Sequence, residues 1–167
     1  MTDAVKKVEE LLKLPQELCK KCGKCCKVAI FKGGLKNEDV IKLSNSTTAD
    51  ISQVIGAVDF LTIFKPYETI EEAKKINTEF VERILKNLNK NEDEIDFFYC
   101  KFVGDNNSCK IHQNRPSLCK TYPSPSEFTH YFEGCGFKEK GIENWQKIVT
   151  IIKEIEQKQR NEGAEKF

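Results

Sequence analysis

Four cysteines fall within eight residues, Cys19-Lys20-Lys21-Cys22-Gly23-Lys24-Cys25-Cys26, and four more follow at Cys100, Cys109, Cys119 and Cys135. Thiolates are soft ligands that suit zinc and iron–sulfur clusters. A C-x2-C pair lets two sulfurs converge on one centre, and Gly23 eases the turn that brings them round. Cys19, Cys22 and Cys25 repeat that spacing twice, as a ferredoxin run does, but Cys26 then stands directly beside Cys25. Neighbouring residues project in different directions, so the two sulfurs serve two sites, or one of them is a spare thiol. Eight cysteines make two four-thiolate sites, or one four-cysteine cluster with additional thiols. The spacing leaves both arrangements open.

The charges near the first block favour anionic sulfur. From Leu18 to Lys36 there are six lysines (Lys20, Lys21, Lys24, Lys27, Lys32 and Lys36) and no acid. Cationic neighbours stabilise thiolates. Phe31 is the only aromatic residue in this segment, so a stacking platform for nucleic acid has little support.

The chain has 167 residues, a size that buries a core without disulfide staples. Charged residues make up 32% of it and the net charge is +1, which points to a soluble protein with no strong global field. No apolar run approaches the ~20 residues of a spanning helix. Lys6, Lys7, Glu9, Glu10 and Lys13 interrupt the first residues, so a signal peptide is not expected there. The expected location is cytoplasmic, where thiols stay reduced and clustered cysteines bind metal or do redox work.

Helical spacing of apolar residues predicts helices over residues 4–14, 37–43, 49–61, 67–90 and 144–160, with Asn37 as the cap of the second. The last residues of the chain are expected to fray. Val28-Ala29-Ile30-Phe31 reads as a short buried strand. Residues 95–103 are aromatic and β-prone, and a turn over 104–108 would return the chain at Cys109 as a hairpin that brings Cys100 and Cys109 together. The expected fold class is mainly α with a small β element, an α+β arrangement in one compact cysteine-rich domain over 1–167.

Beside this reading stands a resemblance. Cys19-x2-Cys22-Gly23-x-Cys25-Cys26, then Cys100-Lys101-Phe102-Val103, Cys109-Lys110-Ile111-His112 and Arg115-Pro116-Ser117-Leu118-Cys119-Lys120-Thr121-Tyr122-Pro123, resemble the YkgJ-like CxxCxxCC cysteine-cluster family, named for zinc or iron chelation. The likeness runs from about residue 18 to 136, flanked by the first and last helices. His112 stands where that pattern has Tyr, Lys120 where it has Arg, and Ser124 where it has Phe. The resemblance implies a metal ion or cluster as partner, held by Cys19, Cys22, Cys25, Cys26, Cys100, Cys109, Cys119 and Cys135. The same signature occurs in flagellin lysine N-methylases, similar in carrying an iron–sulfur cluster and using S-adenosylmethionine, which tilts the expected cofactor from zinc toward iron–sulfur. No G-x-G-x-x-G loop accompanies it here. Three functions stay open: a metal chelator or carrier with a possible protein partner, a cluster-dependent enzyme, and a zinc-stabilised interaction module.

Overall fold

The computed structural model describes residues 3–164. The chain end expected to fray lies in part outside them. Seven α-helices and one small antiparallel sheet make up the regular structure among the described residues, so the class is mainly α with a small β element. The chain gathers into two compact units, a central one of Lys21–Leu118 and a terminal one of Met1–Lys20 with Cys119–Phe167.

The central unit begins with a single turn of helix, α2 (Lys24–Lys27), then α3 (Asn37–Ser44) and α4 (Ile51–Ile63). Asp50 caps α4 by accepting from the Ser52 N–H at 2.8 Å. Helix α3 is capped differently from the expectation. Asn37 lies inside it, and the Asn37 N–H donates to Asp96 Oδ2 at 2.8 Å, so a distant carboxylate satisfies an orphan amide of the first turn. Helices α3 and α4 pack together, and Val40, Ala57, Phe60 and Phe98 form the core beneath them. The apolar pattern of α4 overstates its burial, because Ile51 is 70% exposed and Ile55 and Val58 also face solvent.

The sheet pairs β1 (Phe64–Pro66) with β2 (Phe98–Cys100), in the register Phe64↔Cys100 and Pro66↔Phe98. Between them runs α5 (Ile70–Leu88), kinked at Asn77. The Glu68 N–H donates to Glu72 Oε2 at 3.0 Å, which ties down the chain where α5 begins. The strand expected over Val28–Phe31 is reduced to one bridge, Ala29↔Phe98, with hydrogen bonds of 2.9 Å in both directions. It stops there because Gly33 and Gly34 adopt positive φ and turn the chain away after Phe31.

The terminal unit holds α1 (Asp3–Leu11) against α7 (Lys138–Ala164). Asn144, buried on α7, donates from Nδ2 to the Leu11 carbonyl at 2.8 Å and so satisfies the end of α1. Helix α1 ends before the expected Leu14. Helix α7 starts six residues before the expected Asn144, because its first turn is charged and carries no apolar signal. A short α6 (Ser117–Thr121) carries Cys119.

Candidate metal centre

Five of the cysteines belong to the central unit. Gly23 starts the placement of the first three. Its backbone takes φ +69, and a Cβ there would lie 2.5 Å from the Asn107 carbonyl oxygen. The turn after Cys22 therefore packs backbone to backbone on the loop that follows Cys100. The Cys26 N–H then donates to the Gly23 carbonyl at 3.0 Å, and α2 presents Cys25 and Cys26 half-buried. Tyr67 fastens the far end of α2, its hydroxyl donating to the Lys27 carbonyl. Cys22 is exposed.

Cys100 is buried at the end of β2, and its sulfur accepts the Phe102 N–H at 3.4 Å. An amide aimed at sulfur favours its anionic form. Cys109 reaches the same neighbourhood through the bridge Val103↔Cys109 and the Lys110 N–H to Phe102 carbonyl bond of 2.9 Å. The expected hairpin is thus a single bridge around the 104–108 turn. It does bring Cys100 and Cys109 within electrostatic reach of each other, and Cys100 also faces Cys26.

These thiols perturb one another. A hydrogen bond with Cys25, then burial, pushes Cys26 far above the ordinary thiol pKa, and the Arg115 guanidinium opposes the shift. Burial raises Cys100 as well, followed by small contributions from Cys26 and Cys109, while the Phe102 amide pulls the other way. Cys25, Cys26, Cys100 and Cys109 are thus gathered in one unit from both cysteine blocks. As they stand, no three His, Cys, Asp or Glu side chains among the described residues are arranged to hold a metal ion. As a donor set, four thiols suit zinc or iron–sulfur and do not suit the hard cations that prefer oxygen.

The other three cysteines belong to the terminal unit, and all three are half-buried. Cys19 ends a 3-10 turn over Gln16–Leu18, its N–H donating to the Gln16 carbonyl at 3.1 Å. Cys135 sits before α7, its N–H donating to the Phe132 carbonyl at 3.0 Å. The next residue, Gly136, abuts the Leu18 carbonyl, where a Cβ would come within 2.0 Å. The segments of Cys19 and Cys135 are therefore in backbone contact, which only glycine permits. Cys119 lies on α6. All eight cysteines are free thiols.

Two residues escaped the sequence reading. Asn107, at φ 63, receives Gly23, and Tyr131 buries its hydroxyl against Gly141 and faces Cys135. The composition of the 104–108 turn hinted at the first, and nothing marked the second. Arg115 braces the loop before Pro116, its Nε–H donating to the His112 carbonyl at 3.2 Å. Tyr122, in the same motif, is 43% exposed.

The model of the CxxCxxCC family, described as "Putative zinc- or iron-chelating domain", matches residues 18–136. The chain belongs to this family. The match contains all eight cysteines of the CxxCxxCC domain and spans parts of both units. No curated protein and no solved structure matches the chain. Among the described residues of this CxxCxxCC protein, no helix is long and apolar enough to cross a membrane.

The Gly23 contact is open to test. Gly23→Ala forces a Cβ into a left-handed backbone and onto Asn107. Strain of about 1–2 kcal/mol from the backbone alone is expected to lower the melting temperature by about 2–8 °C. Thermal unfolding followed by circular dichroism checks it, and an unchanged midpoint would show that the close approach does not matter.

Proposed function

We propose that this CxxCxxCC protein is a cytoplasmic metal-binding protein that coordinates zinc or an iron–sulfur cluster through its two cysteine blocks, with the cluster favoured. The ligands assigned are Cys19, Cys22, Cys25 and Cys26 from the first block and Cys100, Cys109, Cys119 and Cys135 from the second. The observation that carries this reading is the gathering of Cys25, Cys26, Cys100 and Cys109 in one compact unit. Family membership supports metal chelation in general terms. Helices α1 and α7, outside the family match, serve as scaffold for the chain ends.

The chain's own groups have definable tasks. Buried thiols that hold their protons tightly release them as metal binds, so uptake is coupled to proton loss. The Phe102 amide at Cys100 and the Arg115 guanidinium near Cys26 stabilise negative charge on sulfur and so favour the thiolates that bind metal. When bound, zinc supplies a closed structural centre and a cluster supplies an electron-transfer centre.

Anaerobic purification with metal analysis and an absorption spectrum tests the reading. A brown protein with broad visible absorbance is expected. A colourless protein with stoichiometric zinc would move the assignment to zinc, and a metal-free protein would end the proposal. Cys26→Ser, measured alongside, separates one site from two. Complete loss of metal marks a single centre, about half marks two, and full retention removes Cys26 from the ligand set.

A further inference from the structure

Helix α4 differs from α5 in what it shows to solvent. The exposed positions of α5 include Glu71, Lys75, Glu79, Glu82 and Lys86, charges that keep that face in water. In α4 the only charged residue is Asp59. The inner stripe of α4, Ala57, Phe60 and Ile63, is buried. Its outer stripe is apolar as well. Ile51, Ile55 and Val58 fall at i, i+4 and i+7 on one line along the helix, and they are 70%, 53% and 44% exposed. A helix apolar on opposite sides belongs in an interior. The charges at its two ends are opposite. Asp50 is exposed and caps the first turn. At the other end the Lys101 ammonium donates to the Leu61 carbonyl at 2.7 Å. Asp50 and Leu61 are about three turns apart, so they lie on the same flank of the apolar line.

We propose that the outer face of α4 docks a second copy of this chain, with the two α4 helices antiparallel about a two-fold axis. Ile51 of one copy then packs against Val58 of the other, and the two Ile55 side chains meet near the axis. A two-fold contact uses one patch twice, and this patch is its own complement. It is apolar along its length and opposite in charge at its ends. Antiparallel helices set like flank against like flank, so Asp50 of each copy approaches Lys101 of the other, and the helix dipoles oppose favourably. Asp59 lies on the other flank, level with Ser52 of the second copy rather than with a carboxylate. The face is one helix wide and about 20 Å long, less than the ~800 Å² per partner of a standard interface, so a Kd of about 10–100 μM is expected. The pairing does not depend on the thiols holding metal.

Sedimentation equilibrium of the full chain over about 1–500 μM, with reductant present so that no disulfide links the copies, tests the proposal. A monomer–dimer equilibrium is expected in that range. Ile55→Lys sets two cations against each other near the axis and is expected to raise Kd about tenfold or more. Asp50→Asn keeps the helix cap but removes the charge, and is expected to weaken association about two- to fivefold at low salt and not at high salt. Ile152→Gln, at an exposed position on α7, is expected to change nothing. If Ile55→Lys fails to fold by circular dichroism, Ile51→Gln carries the comparison and is expected to weaken association severalfold. A chain that stays monomeric throughout overturns the proposal, and binding of that monomer to phosphatidylcholine vesicles would assign the face to a lipid surface instead. A dimer left intact by the α4 variants overturns it too. A dimer that Ile55→Lys weakens and Asp50→Asn does not touch overturns the antiparallel pairing.

Discussion

Cys100→Ser is expected to strip the protein of metal while leaving it folded. Cys100 is 6% exposed, faces Cys26 and Cys109, and receives an amide at its sulfur. Serine fits the space and keeps a partner for the Phe102 N–H, so the structural cost is that of one altered hydrogen bond, about 1 kcal/mol. The metal cost is larger, because a hydroxyl oxygen at neutral pH is a poor replacement for thiolate. A structural zinc site is worth roughly 10–16 kcal/mol over four ligands, so one ligand accounts for about 3–4 kcal/mol, or roughly 10²–10³-fold in affinity. Metal-to-protein ratio after gel filtration against a competing chelator gives the answer, with circular dichroism as the control for folding. Full metal retention in a folded variant would remove Cys100 from the centre.

The long helices were legible because each buries one stripe. Helix α5 was placed from Ile70, Ala73, Ile76, Phe80, Ile84, Leu85 and Leu88, and its observed span, Ile70–Leu88, lies within the expected one. The β structure was legible only as a tendency. Strands of three residues are too short to show an alternating period, so Phe64–Pro66 carries no strand signal in the sequence. Pro66 is tolerated there because β1 pairs on one side only, with β2. The meeting of Cys100 with Cys109 followed from turn chemistry, whereas its meeting with Cys26 depends on Ala29 docking against Phe98. That contact joins positions 69 residues apart, and no local pattern encodes it. The division of the cysteines between two units was equally hidden, since the C-x2-C spacing runs straight through the boundary after Lys20.

Phe98 is where fold and site depend on the same atoms, and Phe98→Ala is expected to damage both. Its side chain is fully buried and meets Phe60 edge-on at a centroid distance of 4.9 Å. Its backbone pairs with Pro66 on one side and with Ala29 on the other. Truncation leaves a cavity at the centre of the Val40, Ala57 and Phe60 cluster, at a cost of about 3–5 kcal/mol. For a chain of this length that corresponds to a fall in melting temperature of about 6–20 °C. The Ala29 bridge ties the segment after Cys25 and Cys26 to the strand that ends in Cys100, so a loosened Phe98 also spreads the thiols. Metal affinity should therefore fall although no ligand has changed. Phe128→Ala supplies the contrast, since Phe128 is 73% exposed and its loss is expected to cost within about 0.5 kcal/mol. Equal stability of the two variants would show that Phe98 does not organise the core. A destabilised Phe98 variant with undiminished metal affinity would show instead that the thiols are held in place without it.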